Sequence, residues 1–89
     1  MNEKTNKSKI TTQMVVNYLI VYAYKYGEAP KDWPALVASI DDSEATQKQI
    51  LYKLLCRKAA ISPDKVSTDP EIMLYSQTLK EMGIENICR

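Results

Sequence analysis

The stretch SEATQKQILYKLLCRKAAI, residues 43–61, decides the fold because one side of it is apolar and the other is polar. Its large apolar residues recur at three- and four-residue steps, which places them along one side of an α-helix: Ile50, Leu51, Leu54 and Leu55. The stretch also carries four basic residues and one acid. We expect a helix that packs by its leucines and holds Gln49 and Lys53 in water.

Three further helices are predicted around this one. The first runs to Tyr26 and ends at Gly27, the residue type that most often stops a helix in a left-handed conformation. The second opens at Asp32-Trp33-Pro34, an acidic residue followed by a proline in the first turn. The fourth opens near Pro70 and ends at Gly83. No segment shows the alternation of a strand, so the predicted fold class is all-α.

Acidic residues stand at the starts of the predicted helices. Asp41 with Glu44, and Thr68 with Glu71, have the three-residue spacing of a capping box. In that motif two side chains satisfy free N–H groups of the first helical turn. Capping is therefore the expected role of these carboxylates, rather than catalysis or cation binding.

The first helix is apolar on all sides. Its two broad faces are formed by Met14, Val15, Tyr18, Leu19 and Tyr22, and by Val16, Ile20, Ala23 and Tyr24. A helix of this kind is either central in its domain or part of an oligomer interface, so a homodimer is possible. The apolar run 14–24 is shorter than the roughly 20 residues that cross a bilayer, and no membrane partner is expected.

Tyrosines are concentrated on this first helix. Tyr18 and Tyr22 are expected to fill the core and to point their hydroxyl groups at its rim. Tyrosine is also enriched at interaction hot spots. Tyr24 and Tyr26, together with Tyr75 of the fourth helix, are therefore the candidate residues of an interface with a partner.

Length and composition are those of one globular domain. The chain has 89 residues, of which 45% are hydrophobic and 26% charged, and its net charge is +1. We predict a flexible polar arm over residues 1–9, a single helical domain over residues 10–84, and a tail over residues 85–89. A dedicated nucleic-acid binder is usually more basic than this.

The residues that carry most protein chemistry are scarce. The chain has no histidine, its glycines stand alone at 27 and 83, and Cys56 and Cys88 are not in a metal-ligand spacing. We therefore expect no metal, no cofactor and no enzymatic activity. The two cysteines fit the free thiols of a reducing cytoplasm, and a single disulfide between them is the alternative.

Positive charge is concentrated on the third helix and the arm. Residues 43–61 carry a net charge of +3, whereas residues 10–42 and residues 62–89 each carry −2. Phosphates attract lysine and arginine, and polar side chains on a helix can reach base edges in the major groove of DNA. The alternative reading is the solvated face that any packed helix presents.

The order of elements resembles the tri-helical core of winged-helix and helix-turn-helix repressor domains over residues 13–61. The matching parts are a connector with glycine and proline, residues 26–30, a short helix, residues 33–40, and the helix of residues 43–61. The resemblance implies a compact four-helix domain with a helix-turn-helix-like core plus a C-terminal helix. It also implies that the third helix is the recognition helix.

The chain departs from that family in three places. The turn at Ile40-Asp41-Asp42 has no glycine, and Gln47 stands where a small buried residue is usual. Residues 62–67 lead into a further helix, where the family has a strand and a wing. Asp41 and Asp42 would also lie near DNA phosphates, which repel them.

Two functions follow from this reading. The resemblance implies a small DNA-binding regulator whose groove-facing residues are Thr46, Lys48, Gln49, Tyr52, Lys53 and Arg57, and which dimerises through the fourth helix and the free sides of the first. The alternative is a non-enzymatic helical module that masks a protein partner, as an inhibitor, adaptor or immunity-type factor does. The near-neutral charge, the apolar first helix and the tyrosines favour this second function.

Overall fold

The computed structural model describes residues 9–87 and folds them into four α-helices. The helices are α1 (Thr12–Tyr26), α2 (Trp33–Ala38), α3 (Ala45–Ala60) and α4 (Pro70–Glu81). Single 3₁₀ turns, Asp42–Glu44 and Pro63–Lys65, precede α3 and α4. No strand occurs within residues 9–87, and the predicted all-α fold of four helices is confirmed. Residues 1–8, most of the predicted arm, and residues 88–89, including Cys88, lie outside the described residues.

Capping contacts define both ends of α1, and the predicted end at Gly27 is confirmed. At the start, the Thr11 hydroxyl accepts a hydrogen bond from the Met14 N–H at 3.1 Å. At the end, Gly27 adopts a φ of 78°, and its N–H donates to the Ala23 carbonyl at 2.7 Å. A side chain at position 27 would be strained at this angle, which is why a glycine ends the helix here.

The core is built by all four helices around α3. Nine apolar residues are buried: Val15, Val16, Val37, Ile40, Leu51, Leu54, Ile72, Leu79 and Ile84. α3 touches each of the other helices and packs most extensively against α4. It buries Leu51 and Leu54 there, and the opposite side chains of Gln49 and Lys53 are exposed, as the sequence predicts.

The capping box predicted for Asp41 and Glu44 at the start of α3 is only half correct, because Asp41 caps the helix and Glu44 does not. The Asp41 carboxylate does accept from the Ser43 N–H at 2.9 Å, but the Glu44 carboxylate accepts from the Thr12 N–H at 2.7 Å. The Asp41 N–H instead donates to the Ile10 carbonyl at 2.8 Å. Glu44 therefore satisfies a free N–H at the start of a distant helix, α1, and fastens the two helix starts together.

The capping box expected at the start of α4 is also wrong, because Asp69 takes the capping role. Its carboxylate accepts from the Ile72 N–H at 3.0 Å, and the Thr68 hydroxyl donates instead to the Lys65 carbonyl at 3.4 Å. An aspartate at this position satisfies the same orphan N–H group. Its neighbour Glu71 is left free for other partners.

The C-terminal end of α4 closes as a Schellman motif. Gly83 has a φ of 91°, and the Ile84 N–H donates to the Leu79 carbonyl at 3.0 Å. Beyond it, the described part of the predicted tail contacts α1. Gln13 donates to the Glu85 carbonyl at 3.0 Å and accepts from the Glu85 N–H at 2.7 Å. Glu85 is thereby held beside the first turn of α1.

α1 packs by one side only. Thr12, Val15 and Val16 are buried on the side that faces the other helices. Tyr18, expected in the core, is 49% exposed, so that expectation is wrong. The reason is geometric, because Tyr18 lies on the side of α1 turned away from the buried Thr12, Val15 and Val16.

Candidate interaction surfaces

The polar face of α3 is the first candidate surface. Thr46, Gln49 and Lys53 are exposed on it, as a groove-reading helix would require. Lys48 is half-buried and its ammonium group forms an ion pair with the Asp42 carboxylate at 3.3 Å. Lys53, the other candidate lysine on this face, forms no ion pair within residues 9–87.

Tyr52 is anchored rather than free. Its ring packs on Trp33 of α2 with a centroid distance of 5.4 Å and an interplanar angle of 50°. Tilted aromatic pairs at this distance are favourable beyond the area that they bury. Tyr52 therefore ties α3 to α2 while its outer edge remains exposed.

Arg57, the sixth candidate residue for DNA binding, is engaged within the fold. Its Nη2 and Nε donate to the two carboxylate oxygens of Asp69 at 2.7 and 3.1 Å, and Glu71 lies 3.5 Å from Nε. The hydrogen bonds from Arg57 hold the pKa of Asp69 below its usual value, and the same contact raises the pKa of Arg57. A bidentate pair of this kind joins α3 to α4 and uses the guanidinium donors that would contact a phosphate.

The N-terminal end of α3 is acidic. Asp41, Asp42 and Glu44 precede its first turn, and the Asp42 side chain is 99% exposed. Hydrogen bonds from Ser43 lower the pKa of Asp41, so its carboxylate stays ionised at neutral pH. In helix-turn-helix proteins this end of the recognition helix enters the major groove, and carboxylates there repel phosphates.

The outer face of α1 is the second candidate surface. We use this name for the stripe Met14, Tyr18, Val21 and Lys25, bordered by Tyr24. Met14, Tyr18, Val21 and Tyr24 are 47, 49, 63 and 92% exposed. The stripe residues follow one another at steps of four, three and four, which keeps them on one side of the helix. At about 200 Å² for a fully exposed tyrosine or methionine, the four uncharged side chains present about 500 Å² to solvent.

Charge is nearly absent from this helix. Lys25 is the one charged residue among the fifteen of α1. A patch of about 500 Å² has the size of the largest apolar patch on a typical monomeric protein, and such patches are often functional. Interface centres are depleted of charged residues and enriched in tyrosine and methionine. The composition of the outer face therefore matches that of a contact surface.

A ladder of tyrosine rings stiffens one edge of the outer face. The ring centroids of Tyr18 and Tyr22 are 6.0 Å apart, and those of Tyr22 and Tyr26 are 4.5 Å apart. The Lys25 ammonium group lies 5.5 Å from the centroid of the Tyr26 ring. These contacts fix the ring orientations, so less side-chain entropy is lost when a partner docks.

Tyr75, the third candidate interface residue, lies elsewhere. It is half-buried on α4, and its hydroxyl donates to the Glu71 carboxylate at 3.0 Å. This hydrogen bond with Glu71 raises the pKa of Tyr75. The structure therefore exposes Tyr24 and Tyr26 on different sides of α1, and places Tyr75 in the polar cluster that joins α3 and α4.

A shallow groove between α2 and α3 is the third candidate surface. Its volume is about 430 Å³ and its lining is mostly apolar: Pro34, Val37, Ala38, Ala45, Lys48, Gln49 and Tyr52. The groove is open along its length, unlike the enclosed pockets that hold small ligands. The groove lies beside the polar face of α3 and shares Lys48, Gln49 and Tyr52 with it.

No protein-family model, curated protein or solved structure matches this chain. Among residues 9–87, no helix has both the length and the apolar character needed to cross a membrane. Within the same residues, no group of three or more cysteine and carboxylate side chains is placed to hold a metal ion. Cys56 is exposed on α3 and has no disulfide partner among the described residues.

Sequence reasoning missed two parts of the outer face. The sequence analysis assigned Met14 to one face of the first helix and counted Val21 only within the apolar run 14–24, and the pattern did not indicate which side other helices would leave uncovered. The feature of the sequence that could have predicted an uncovered side is the greater length of the first helix compared with the helix that follows it. α1 has fifteen residues, whereas the α2 helix that returns beside it has six. A six-residue helix cannot cover a fifteen-residue one.

Proposed function

We propose that the protein is a non-enzymatic helical module that acts by binding another protein molecule through the outer face of α1. The observation that supports this proposal is the exposure of Tyr24, Val21, Tyr18 and Met14 along a helix with one charge. Burial of these side chains removes apolar surface from water, which is the main source of affinity in protein association. Binding would mask a surface of the partner, as an inhibitor, adaptor or immunity-type factor does.

Photo-crosslinking in the source cells tests this proposal. A benzophenone amino acid is placed at Tyr24 on the outer face, and at Leu74 as the control. Leu74 is a large apolar residue of α4 that is 61% exposed. We expect protein adducts from position 24 and none of comparable yield from position 74. Equal yields from both positions, or no protein adduct at position 24, would contradict the proposal.

A second candidate function is DNA binding by a helix-turn-helix-type regulator. The exposure of Thr46, Gln49 and Lys53 on α3 favours it. The pairing of Lys48 and Arg57 and the acidic start of α3 weigh against it. An electrophoretic mobility assay across rising salt tests it, because phosphate contacts impose a steep loss of affinity with salt. A shift at low salt that Lys53→Glu abolishes would support this function, and no shift would end it.

We further propose a cytoplasmic location, which rests on the exposed thiol of Cys56. Exposed free thiols persist in reducing compartments and are oxidised or paired outside them. Thiol labelling of protein taken directly from source cells tests this location. We expect both cysteines to react at once, and a disulfide would contradict it.

A further inference from the structure

The outer face of α1 has the geometry of a helix–helix seam. Met14, Tyr18, Val21 and Lys25 are spaced by four, three and four residues, which is the spacing of alternating core positions in a heptad pattern. Tyr24 flanks the stripe on one side and Tyr22 on the other. A helix presenting such a stripe packs against a second helix of the same periodicity at a shallow crossing angle.

The area of this face suits a second copy of the same chain. Two outer faces together expose about 1,000 Å² through Met14, Tyr18, Val21 and Tyr24 of each copy, and this is the area that full burial would remove from water. That figure is near the lower limit for a specific protein–protein interface. A two-fold symmetric contact needs only one self-complementary patch, so a single stripe of this size is sufficient.

Charge decides the direction of the pairing. In a parallel pair, the two Lys25 side chains would face each other across the seam, and like charges there are destabilising. In an antiparallel pair, Lys25 of each copy reaches Met14 of the other. At that end of α1, the two hydrogen bonds of Gln13 hold the backbone of Glu85, a carboxylate residue. The antiparallel arrangement therefore places Lys25 at the end of α1 that holds Glu85, whereas the parallel arrangement places it against a second Lys25.

We propose that the protein forms a homodimer in which the outer faces of two α1 helices pair antiparallel about a two-fold axis. The axis passes between Tyr18 and Val21, so that Tyr18 of each copy packs on Val21 of the other. This inference rests on the proposed function, since it names the partner of the same surface. With an interface near the lower size limit, we expect a dissociation constant on the order of 10 µM.

Sedimentation equilibrium of the purified full chain tests the dimer. Val21→Glu places a charge at the centre of the seam and should weaken the dimer at least about 30-fold. The matched control is Leu74→Glu, because Leu74 is 61% exposed and Val21 is 63% exposed. We expect the control to dimerise like the wild type. Circular dichroism of both variants verifies that the helices remain folded.

Cysteine crosslinking tests the direction, in a background with Cys56→Ser and Cys88→Ser. An antiparallel seam predicts a disulfide when Met14→Cys protein is mixed with Lys25→Cys protein, and little when either variant is oxidised alone. A parallel seam predicts the reverse, and that result would overturn the proposed arrangement. So would a dimer that Leu74→Glu weakens and Val21→Glu does not.

The failure of this inference can be told from the failure of the proposed function. A wild-type chain that stays monomeric at millimolar concentration overturns the homodimer. If position 24 then crosslinks to a different protein in cells, the outer face is still a binding surface. If it crosslinks to no protein, both proposals are overturned.

Discussion

Between α3 and α4 the leucines are buried and the charges are paired, whereas on the outer face of α1 the large apolar residues are exposed and one charge is present. Leu79 has no exposed surface, and Arg57 and Asp69 form a bidentate ion pair that joins α3 to α4. Tyr24 is 92% exposed with no other helix over it. The first region holds the domain together by contacts within one chain. The second makes few such contacts, so its side chains are available to another molecule.

The largest expected effect is a loss of stability when a buried side chain between α3 and α4 is shortened. Leu79→Ala removes a fully buried side chain from the centre of the core and should lower the free energy of unfolding by about 3 kcal/mol. Val21→Ala, on the outer face, should change it by less than about 0.5 kcal/mol in dilute protein. Urea denaturation of both variants measures the difference. Similar losses in the two variants would contradict the contrast between the regions.

The next effect concerns the ion pair between α3 and α4. Asp69→Asn removes the charge that Arg57 contacts and weakens the cap on the Ile72 N–H, so it should destabilise the domain more than Asp42→Asn does. Asp42 is fully exposed and contacts Lys48 only at the surface. Thermal unfolding of the two variants at pH 7 compares them. Equal melting temperatures would show that the Arg57 contact contributes nothing.

The same pair makes stability depend on pH. Hydrogen bonds from Arg57 lower the pKa of Asp69 in the folded chain, below a value of about 3.9 in the unfolded chain. The stabilisation is therefore present above about pH 4 and is lost as the pH falls through the folded pKa. Asp41 has a pKa lowered in the same direction and adds to the loss. Urea titrations from pH 7 to low pH should show a shallower fall for Asp69→Asn than for wild type.

A smaller effect is expected at the contact between the starts of α3 and α1. Glu44→Ala removes the carboxylate that accepts from the Thr12 N–H and should cost about 1 kcal/mol, the usual cost of a lost helix cap. Glu81→Ala is the control, because Glu81 is exposed and, among residues 9–87, hydrogen-bonds only to Gln77 four residues before it. Chemical denaturation compares the two. No difference between them would show that the long-range cap does not stabilise the fold.

The smallest expected effect is a change in dimer affinity when the charges at the ends of the outer face are altered. Lys25→Glu and Glu85→Lys should each weaken the proposed dimer roughly threefold, as expected for an exposed ion pair. The double variant should restore wild-type affinity, because it exchanges the two charges. Sedimentation at low salt measures all three dissociation constants. A double variant weaker than either single variant would place Lys25 and Glu85 apart.

The sequence was sufficient for much of the fold because local rules governed it. The leucine spacing of residues 50–55 placed α3, and glycines 27 and 83 ended α1 and α4 as left-handed stops. The exposure of Gln49 and Lys53 followed from that spacing. Each of these features depends on residues within one or two turns of each other.

Contacts between distant residues could not be predicted in the same way. Glu44 was expected to cap its own helix, but Thr12, 32 residues earlier, offers an N–H that no nearer group satisfies. Arg57 was expected at the edge of a DNA-reading face, but Asp69 holds it against α4. The exposure of Tyr18 likewise depends on where the other helices end. Periodicity assigns a residue to a side of a helix, and only tertiary packing decides which side is covered.

Hydrogen exchange of the wild-type chain at two concentrations tests the central claim, that the outer face of α1 is a contact surface for a second copy. We predict that amides of residues 18–26 exchange more slowly at about 500 µM than at about 1 µM, because the dimer forms between these concentrations. Amides of α4 should exchange at the same rate at both concentrations. Exchange in α1 that does not change with concentration would contradict the claim, as would new protection confined to α4.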